Sequence, residues 1–175
     1  MKSHYPLVII GAGPAGLAAA ATASEHGVET ALLDEQSAPG GQIYRNIEAI
    51  PETRAKFLGS EFQRGAGLVK SMRESSAHWF NETSVWSINH EGQLGVLHKD
   101  SAKLISADQV LIASGAQERP VPFPGWTMPG VMNAGAGQIL LKQGGIVPDG
   151  GVVLAGSGPL LLLLAWQYLH AGVEV

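Results

Sequence analysis

The chain has 175 residues, 45% of them hydrophobic and 15% charged, with a formal net charge of −4. That length suits one full domain, or one domain plus a stub, and the acidic balance leaves no electrostatic footprint for nucleic acid. There is no cysteine, which excludes a CxxC redox pair, cysteine-ligated iron–sulfur clusters and disulfides within these residues.

The first residues, Met1 to Pro6, lead into an apolar run with no signal-peptide pattern. The longest apolar run, Leu160 to Trp166, is far short of the roughly 20 residues of a bilayer span. The expectation is a cytoplasmic protein with no transmembrane segment. The six histidines form no HExxH or close pair, so no metal site is expected. Neither GxxxxGK[ST] nor GxSxG occurs, so phosphate-loop and hydrolase-elbow chemistry have no motif.

Leu7–Ile10 reads as a buried parallel strand. Pro14–His26 follows, rich in alanine, as a helix that can pack closely on a sheet, and Gly27 is its C-terminal stop. Thr30–Leu33 is the next strand, closed by Asp34. Residues 36–45 form a loop holding Pro39, Gly40 and Gly41. Residues 48–54 look irregular, and Phe57–Arg73 contains a helix weakened by Gly65 and Gly67. Strands are expected at Ser84–Ile88, Leu94–His98 and Lys103–Ile105, with a turn at Asn89–Gly92. Gln109–Ala113 is a further buried strand ending in Ser114-Gly115. Four prolines in residues 120–129 mark an extended crossover. Ala134–Gln143 is a helix stopped by Gly144-Gly145, and Pro148–Gly151 is a turn.

Two segments carry the chemistry. The first is Val8-Ile9-Ile10-Gly11-Ala12-Gly13-Pro14-Ala15-Gly16-Leu17. The second is Val153-Leu154-Ala155-Gly156-Ser157-Gly158-Pro159-Leu160-Leu161-Leu162. At an offset of 145 residues, Val8–Thr30 aligns with Val153–Val175 without a gap, and nine of 23 positions are identical. One GxGxxG is a weak signal; two in register, each between an apolar strand and an apolar helix, are a strong one. The expected fold is α/β, a Rossmann-like FAD- or NAD(P)-binding domain in three layers on a parallel sheet, followed by the start of a second nucleotide-binding domain. The expected partition is 1–120 for the first domain, 121–150 for the crossover and 151–175 for the second.

A dinucleotide pyrophosphate needs backbone N–H groups and a helix N-terminus close to it. Gly11 allows the tight turn, Gly13 removes a side chain from the phosphate position and Gly16 lets helix and strand pack. Asp34 stands at the end of the second strand, where a carboxylate accepts hydrogen bonds from ribose hydroxyls; Glu35 is the alternative. The fingerprint alone does not separate FAD from NAD. Two later features favour FAD: the paired glycines of Ala38-Pro39-Gly40-Gly41-Gln42, and the strand ending in Ala113-Ser114-Gly115. Both let backbone approach a long cofactor. In the second fingerprint Leu161 replaces the third glycine, which puts ordinary NAD(P)H binding in question.

This order of motifs resembles the FAD domain of the pyridine nucleotide-disulfide reductase superfamily. There "ATG" usually stands where this chain has Ala113-Ser114-Gly115. Residues 34–45 (DEQSAPGGQIYR), 119–132 (RPVPFPGWTMPGVM) and 154–161 (LAGSGPLL) are similar to the large subunits of dye-linked proline and hydroxyproline dehydrogenases, opine oxidases and hydrogen cyanide synthase. The resemblance implies an FAD-dependent oxidoreductase that oxidises the C–N bond of a small amino or imino acid, working with a second flavoprotein subunit. It implies that Gly11, Gly13, Pro14, Ala15 and Gly16 hold the FAD pyrophosphate and Asp34 or Glu35 the adenosine ribose. Gly41 and Gln42 would approach the far half of the cofactor, Ala113, Ser114 and Gly115 would close the site, and Val85 would meet adenine through its backbone. Gly156 and Gly158 would serve a second nucleotide, NAD(P)H or ATP. No residue has a motif-level claim to catalysis. Rival readings remain open: an NAD(P)H-dependent flavin reductase, a nucleotide-binding scaffold or electron-transfer subunit, or an inactive fragment.

Overall fold

The computed structural model describes residues 1–175. In chain order the elements are β1 (His4–Ile10), α1 (Pro14–Glu25), β2 (Thr30–Leu33), α2 (Glu52–Leu58), α3 (Ser60–Gln63), α4 (Gly65–Glu74), β3 (His78–Phe80), β4 (Thr83–Ile88), β5 (Gln93–His98), β6 (Ser101–Ile112), α5 (Ala134–Gly144) and α6 (Pro159–His170). They form two compact units. One comprises Met1–Glu48 and Arg64–Gly115, the other Ala49–Gln63 and Ala116–Val175.

The first unit is built on a six-stranded sheet in the order β3-β2-β1-β6-β5-β4. β3, β2, β1 and β6 run parallel, while β4, β5 and β6 form an antiparallel meander. The sheet is therefore mixed, with the parallel part expected from the sequence extended by the meander. β6 belongs to both parts. Its residues Ser101–Ser106 pair with β5 and Ser106–Ile112 with β1. The sequence reading divides this stretch into two strands, at 103–105 and 109–113. The structure corrects that to one strand of 12 residues, because no glycine or proline interrupts residues 101–112 and Ser106 is paired on both sides.

Val8 and Ile9 are both fully buried, so β1 is covered on its two faces, as a central parallel strand must be. On one face Val8, Ala31 and Leu33 join Leu94, Val96 and Ile105 of the meander in a single apolar cluster. On the other lies α1, which buries Gly16, Leu17, Ala20 and Ala21. The small residues bring the helix close to the sheet, and Ile9 Cγ2 lies 3.5 Å from where a Cβ on Gly16 would sit. Pro14 starts α1 with its ring where no intrahelical donor is needed. A left-handed Gly27 (φ 72°) ends it. Gly27 N–H donates to Ser24 O at 2.9 Å and Val28 N–H to Ala23 O at 3.0 Å, the paired bonds of a Schellman cap.

The second unit repeats that cap. α6 has the same 12 residues as α1 in length, and Gly172 (φ 85°) ends it. Gly172 N–H donates to Leu169 O at 3.1 Å and Val173 N–H to Tyr168 O at 2.9 Å. The repeat Gly-Val-Glu thus encodes the same helix stop twice. The strand expected before the second fingerprint is absent. Val152 N–H donates to Glu174 O at 2.9 Å, but residues 151–155 have no ladder partner and take no strand assignment. α5 and α6 pack through Leu141, Leu164 and Tyr168, all buried. Gln138 Nε2 donates to Gln167 Oε1 at 3.1 Å, and Lys142 Nζ donates to Gln138 Oε1 at 2.8 Å. Leu162 and Leu169 remain exposed.

Residues 48–54, expected to be irregular, contain the start of α2. Pro51 occupies its N-cap position, which suits a residue without a free N–H. The helix expected over 57–73 is divided at Gly59 (φ 84°) and again near Arg64, giving α2, α3 and α4. β3, three residues long, carries no period-2 signal. No helix is long and apolar enough to cross a membrane.

The packing of α1 gives a first prediction. A Cβ on Gly16 would lie 1.8 Å from the Gly11 carbonyl oxygen, whereas one on Gly67 in α4 meets nothing within 4 Å. Gly16→Ala is expected to destabilise the fold by at least about 1–3 kcal/mol, and Gly67→Ala to stabilise it by about 0.4–1 kcal/mol. Urea unfolding of the two variants reads the opposite signs.

Candidate functional site

β1 ends at Ile10, and Gly11 turns the chain with φ 103°, a conformation that favours glycine. Gly11 N–H donates to Leu33 O at 2.7 Å, which fixes the turn to the end of β2. A Cβ at Gly11 would meet the Ala113 carbonyl oxygen at 2.5 Å and Ser114 Cα at 3.2 Å. Ala113 N–H in turn donates to Ile10 O at 2.8 Å. The strand end read as Ala113-Ser114-Gly115 therefore lies directly against the fingerprint. Gly115 itself is left-handed (φ 78°) and open, with nothing within 4 Å.

Gly40 and Gly41 come to the same place. Gly40 N–H donates to Ala12 O at 2.8 Å. A Cβ on Gly41 (φ 60°) would stand 2.8 Å from Gly13 Cα. Gln42 follows on the surface. Three separate segments, 11–16, 40–42 and 113–115, thus converge through backbone contacts that glycines permit.

Gly13 differs from its neighbours. It is the N-cap of α1 with φ −74° and ψ −176°, extended backbone that any residue adopts. A Cβ there would meet only Gly41 Cα, at 3.9 Å. Neither conformation nor protein packing demands glycine at this position. No side chain caps α1, and no acidic residue stands in its first turn. The first N–H groups of a helix have no intrahelical acceptor, so the start of α1, with Ala15 exposed, is an uncapped positive helix end. An anionic group fits it.

Asp34 closes this loop from below. One carboxylate oxygen, Oδ2, accepts the Ala12 N–H, and Oδ1 accepts the Gln36 N–H at 2.7 Å. Its own N–H donates to Phe80 O at 3.1 Å, and its carbonyl accepts Thr83 N–H at 2.8 Å. Asp34 therefore ties the glycine turn to β3 and β4. Glu35 is exposed and lines an open cleft of about 440 Å³ with Glu82, Ser84, Leu97, Lys99 and Asp100. Val85 is half-buried in β4, opposite Val96, just before a bulge that ends at Ser87.

Gln36 and Arg45, the third and last residues of the stretch DEQSAPGGQIYR, join the site although the sequence reading gives neither of them a role. Arg45 Nη1 donates to Gln36 Oε1 at 2.5 Å, and Gln36 Nε2 donates to Glu35 Oε1 at 3.1 Å. The signal in the sequence is the polar pair Glu35-Gln36 followed nine residues later by an arginine, too common a pattern to stand out.

The second fingerprint builds a different loop. Gly158, the N-cap of α6, has φ 112° where Gly13 has −74°. Gly156 has φ 142°, and Leu161 Cδ1 lies 3.2 Å from where its Cβ would be. Leu161 places a side chain against the turn, whereas in the first copy the Gly11 carbonyl itself lies against Gly16. An apolar cleft of about 650 Å³ adjoins Gly156, Gly158 and Leu161.

The family described as pyridine nucleotide-disulphide oxidoreductase matches residues 5–175, and the chain belongs to it. One of the subunits of opine oxidase from Agrobacterium tumefaciens is 46% identical over 99% of this chain and 36% of its own length. Hydrogen cyanide synthase subunit HcnB of Pseudomonas aeruginosa is 40% identical over 96% of this chain and 37% of its own. The L-proline dehydrogenase of P. horikoshii superposes with a TM-score of 0.80 at 22% identity, over 98% of this chain and 34% of that one. That last likeness shows the shared fold. The chain spans little more than a third of the length of these curated relatives.

The role of Asp34 can be tested directly. Asn offers one acceptor oxygen and a donor NH2, so Asp34→Asn turns a donor toward one of the two backbone N–H groups. The expected loss is about 1–3 kcal/mol of stability. Glu35→Gln, at an exposed position, is expected to stay within about 0.5 kcal/mol of the parent. Equal effects in chemical denaturation would show that Asp34 does not pin the loop.

Proposed function

We propose that the first unit holds FAD and that the chain is the N-terminal part of the large subunit of an amino- or imino-acid oxidoreductase. The observation that supports it is Gly13. A glycine that its backbone and neighbours do not require, at an uncapped helix start, fits a site where a phosphate takes the place of a side chain. In this reading Gly11, Gly13, Pro14, Ala15 and Gly16 surround the pyrophosphate. Asp34 or Glu35 serves the adenosine ribose, Val85 meets adenine through its backbone, and Gly41 and Gln42 follow the cofactor toward its flavin half. Ala113, Ser114 and Gly115 close the site beside Gly11.

When bound, the flavin supplies the two-electron acceptor for oxidation of a substrate C–N bond. The residues of this chain bind and orient it. The proposed substrate is a small amino or imino acid of the proline, hydroxyproline or opine type, with electrons passing on to an acceptor. The relatives carry the names of subunits. Those names support a partner, proposed here as a second flavoprotein subunit, in the cytoplasm. A second nucleotide, NAD(P)H or ATP, is proposed at Gly156 and Gly158 only in a manner unlike the first, since the two helix starts differ in conformation.

The test is the visible absorption spectrum of the purified protein, with the released cofactor identified by mass. FAD is expected in the parent. Gly13→Val is expected to keep the fold, read by thermal unfolding, and to lose the flavin. A folded Gly13→Val protein with a full complement of FAD would overturn the assignment. Anaerobic bleaching by proline-like or opine-like amino acids, set against bleaching by NAD(P)H, separates a dehydrogenase from a flavin reductase.

A further inference from the structure

We propose that Gln36 and Arg45 are positioning residues for Glu35, forming a relay that presents its carboxylate to the ribose hydroxyls of the bound dinucleotide. The proposal rests on the reading of the first unit as an FAD site. The two adjacent acids are held differently: backbone N–H groups of the loop hold Asp34, and a side chain holds Glu35.

Asp34 has a backbone N–H on each carboxylate oxygen, from Ala12 and from Gln36. Those two charge-assisted bonds fix its orientation toward the protein. Glu35 is exposed at the open cleft, and the bond to its Oε1 comes from its neighbour's side chain. A free glutamate at a surface samples many rotamers, and holding it in one costs entropy on binding. A group that holds it beforehand removes that cost.

Gln36 is built to do so. Its amide can face either way, and the choice depends on its partners. Arg45 carries donors only, so its Nη1 at 2.5 Å selects the orientation with Oε1 toward the guanidinium. The amide NH2 then faces Glu35, at 3.1 Å. Gln36 is anchored at its backbone as well, through N–H to Asp34 Oδ1 at 2.7 Å and O to the Glu82 N–H at 3.2 Å. Arg45 sits where its Nε is buried with no hydrogen-bond partner. An unsatisfied buried donor is unfavourable, so the position is poorly explained by stability. It is explained if the contact to Gln36 is what matters.

The experiment measures binding of FAD, and of an FAD analogue whose adenosine lacks both ribose hydroxyls, to the flavin-stripped protein. The variants are Arg45→Met, Arg45→Lys, Gln36→Leu and Glu35→Gln, with Arg45→Met and Gln36→Leu also placed in the Glu35→Gln background. Arg45→Met, Gln36→Leu and Glu35→Gln are each expected to weaken FAD by about tenfold, the scale of one lost hydrogen bond to a charged group. Arg45→Lys, still a donor-only cation, is expected to recover most of the loss. With the dideoxy analogue the variants and the parent should bind alike. Adding Arg45→Met or Gln36→Leu to Glu35→Gln should change nothing more, as a double-mutant cycle requires of groups acting through one another. Equal losses for FAD and the analogue, or losses that persist in the Glu35→Gln background, would mean a structural role and overturn the relay. So would FAD binding unchanged in Gln36→Leu, which keeps the test open even if Arg45→Met does not fold. A parent protein that takes up no FAD would instead overturn the underlying assignment of the site.

Discussion

The carbonyl of Gly11 lies where a side chain at position 16 would begin. This single close approach sets how deeply α1 sits against β1, and the rest of the first unit follows from it. Because α1 lies close, its N-terminus arrives beside the turn rather than above it. Because the turn is tight, Gly11 also stands within van der Waals reach of Ala113 and Ser114. Two strands that are neighbours in the sheet but far apart in sequence thereby end at one point. The crevice beyond the carboxyl ends of the parallel strands is where open α/β sheets bind ligands, and here the glycine turn, Gly40–Gly41 and Ala113–Ser114 meet through backbone contacts.

A site made of backbone needs something to hold the backbone still. Asp34 does this with four hydrogen bonds, two through its carboxylate and two through its peptide groups. It joins the glycine turn, the end of β2, the end of β3 and the start of β4. β6 adds a second tie, since one continuous strand carries both the meander pairing and the pairing to β1. The glycine turn is thus fastened to both parts of the sheet, and Glu35 projects beside it with its carboxylate exposed and held by Gln36.

The elements that can be read from sequence are those whose signal is local. α1 is bounded by Pro14 and Gly27, and both boundaries follow from backbone chemistry alone. β2 is a run of apolar residues that ends at an acid. The convergence of Gly41 and Ser114 on the fingerprint follows from small residues placed after strand ends. What cannot be read depends on pairing or on a distant contact. β3 has three residues and exists because β2 offers it an edge. The length of β6 is set by its two partners. The stretch 57–73 is broken at Gly59 and again at Arg64, while Gly65 and Gly67 both lie within α4. Gly65 instead lies against the Tyr44 ring, which a Cβ would approach at 2.3 Å, a reason for glycine that no local pattern shows. Arg45 and Gln36 are hidden likewise: their meaning lies in a bond between residues nine apart in a loop without regular periodicity.

The two fingerprints show how much of such a motif is helix and how much is ligand site. Both copies start a helix with Gly-Pro, run it for 12 residues and stop it with the same cap. That much survives nine identities in 23 positions. The loop does not. With glycine at the third position, the turn carbonyl packs on the helix backbone and the N-cap keeps an ordinary extended conformation. With Leu161 there, a side chain lies against the turn glycine and the N-cap moves to φ 112°. The first two glycines permit a turn, and the third position decides what packs against it: the Gly11 carbonyl on Gly16 in the first copy, the Leu161 side chain on Gly156 in the second. A nucleotide at the second site would therefore meet a different set of backbone donors, which is why the likeness of the two sequences argues for a common helix and cap and not for a common ligand.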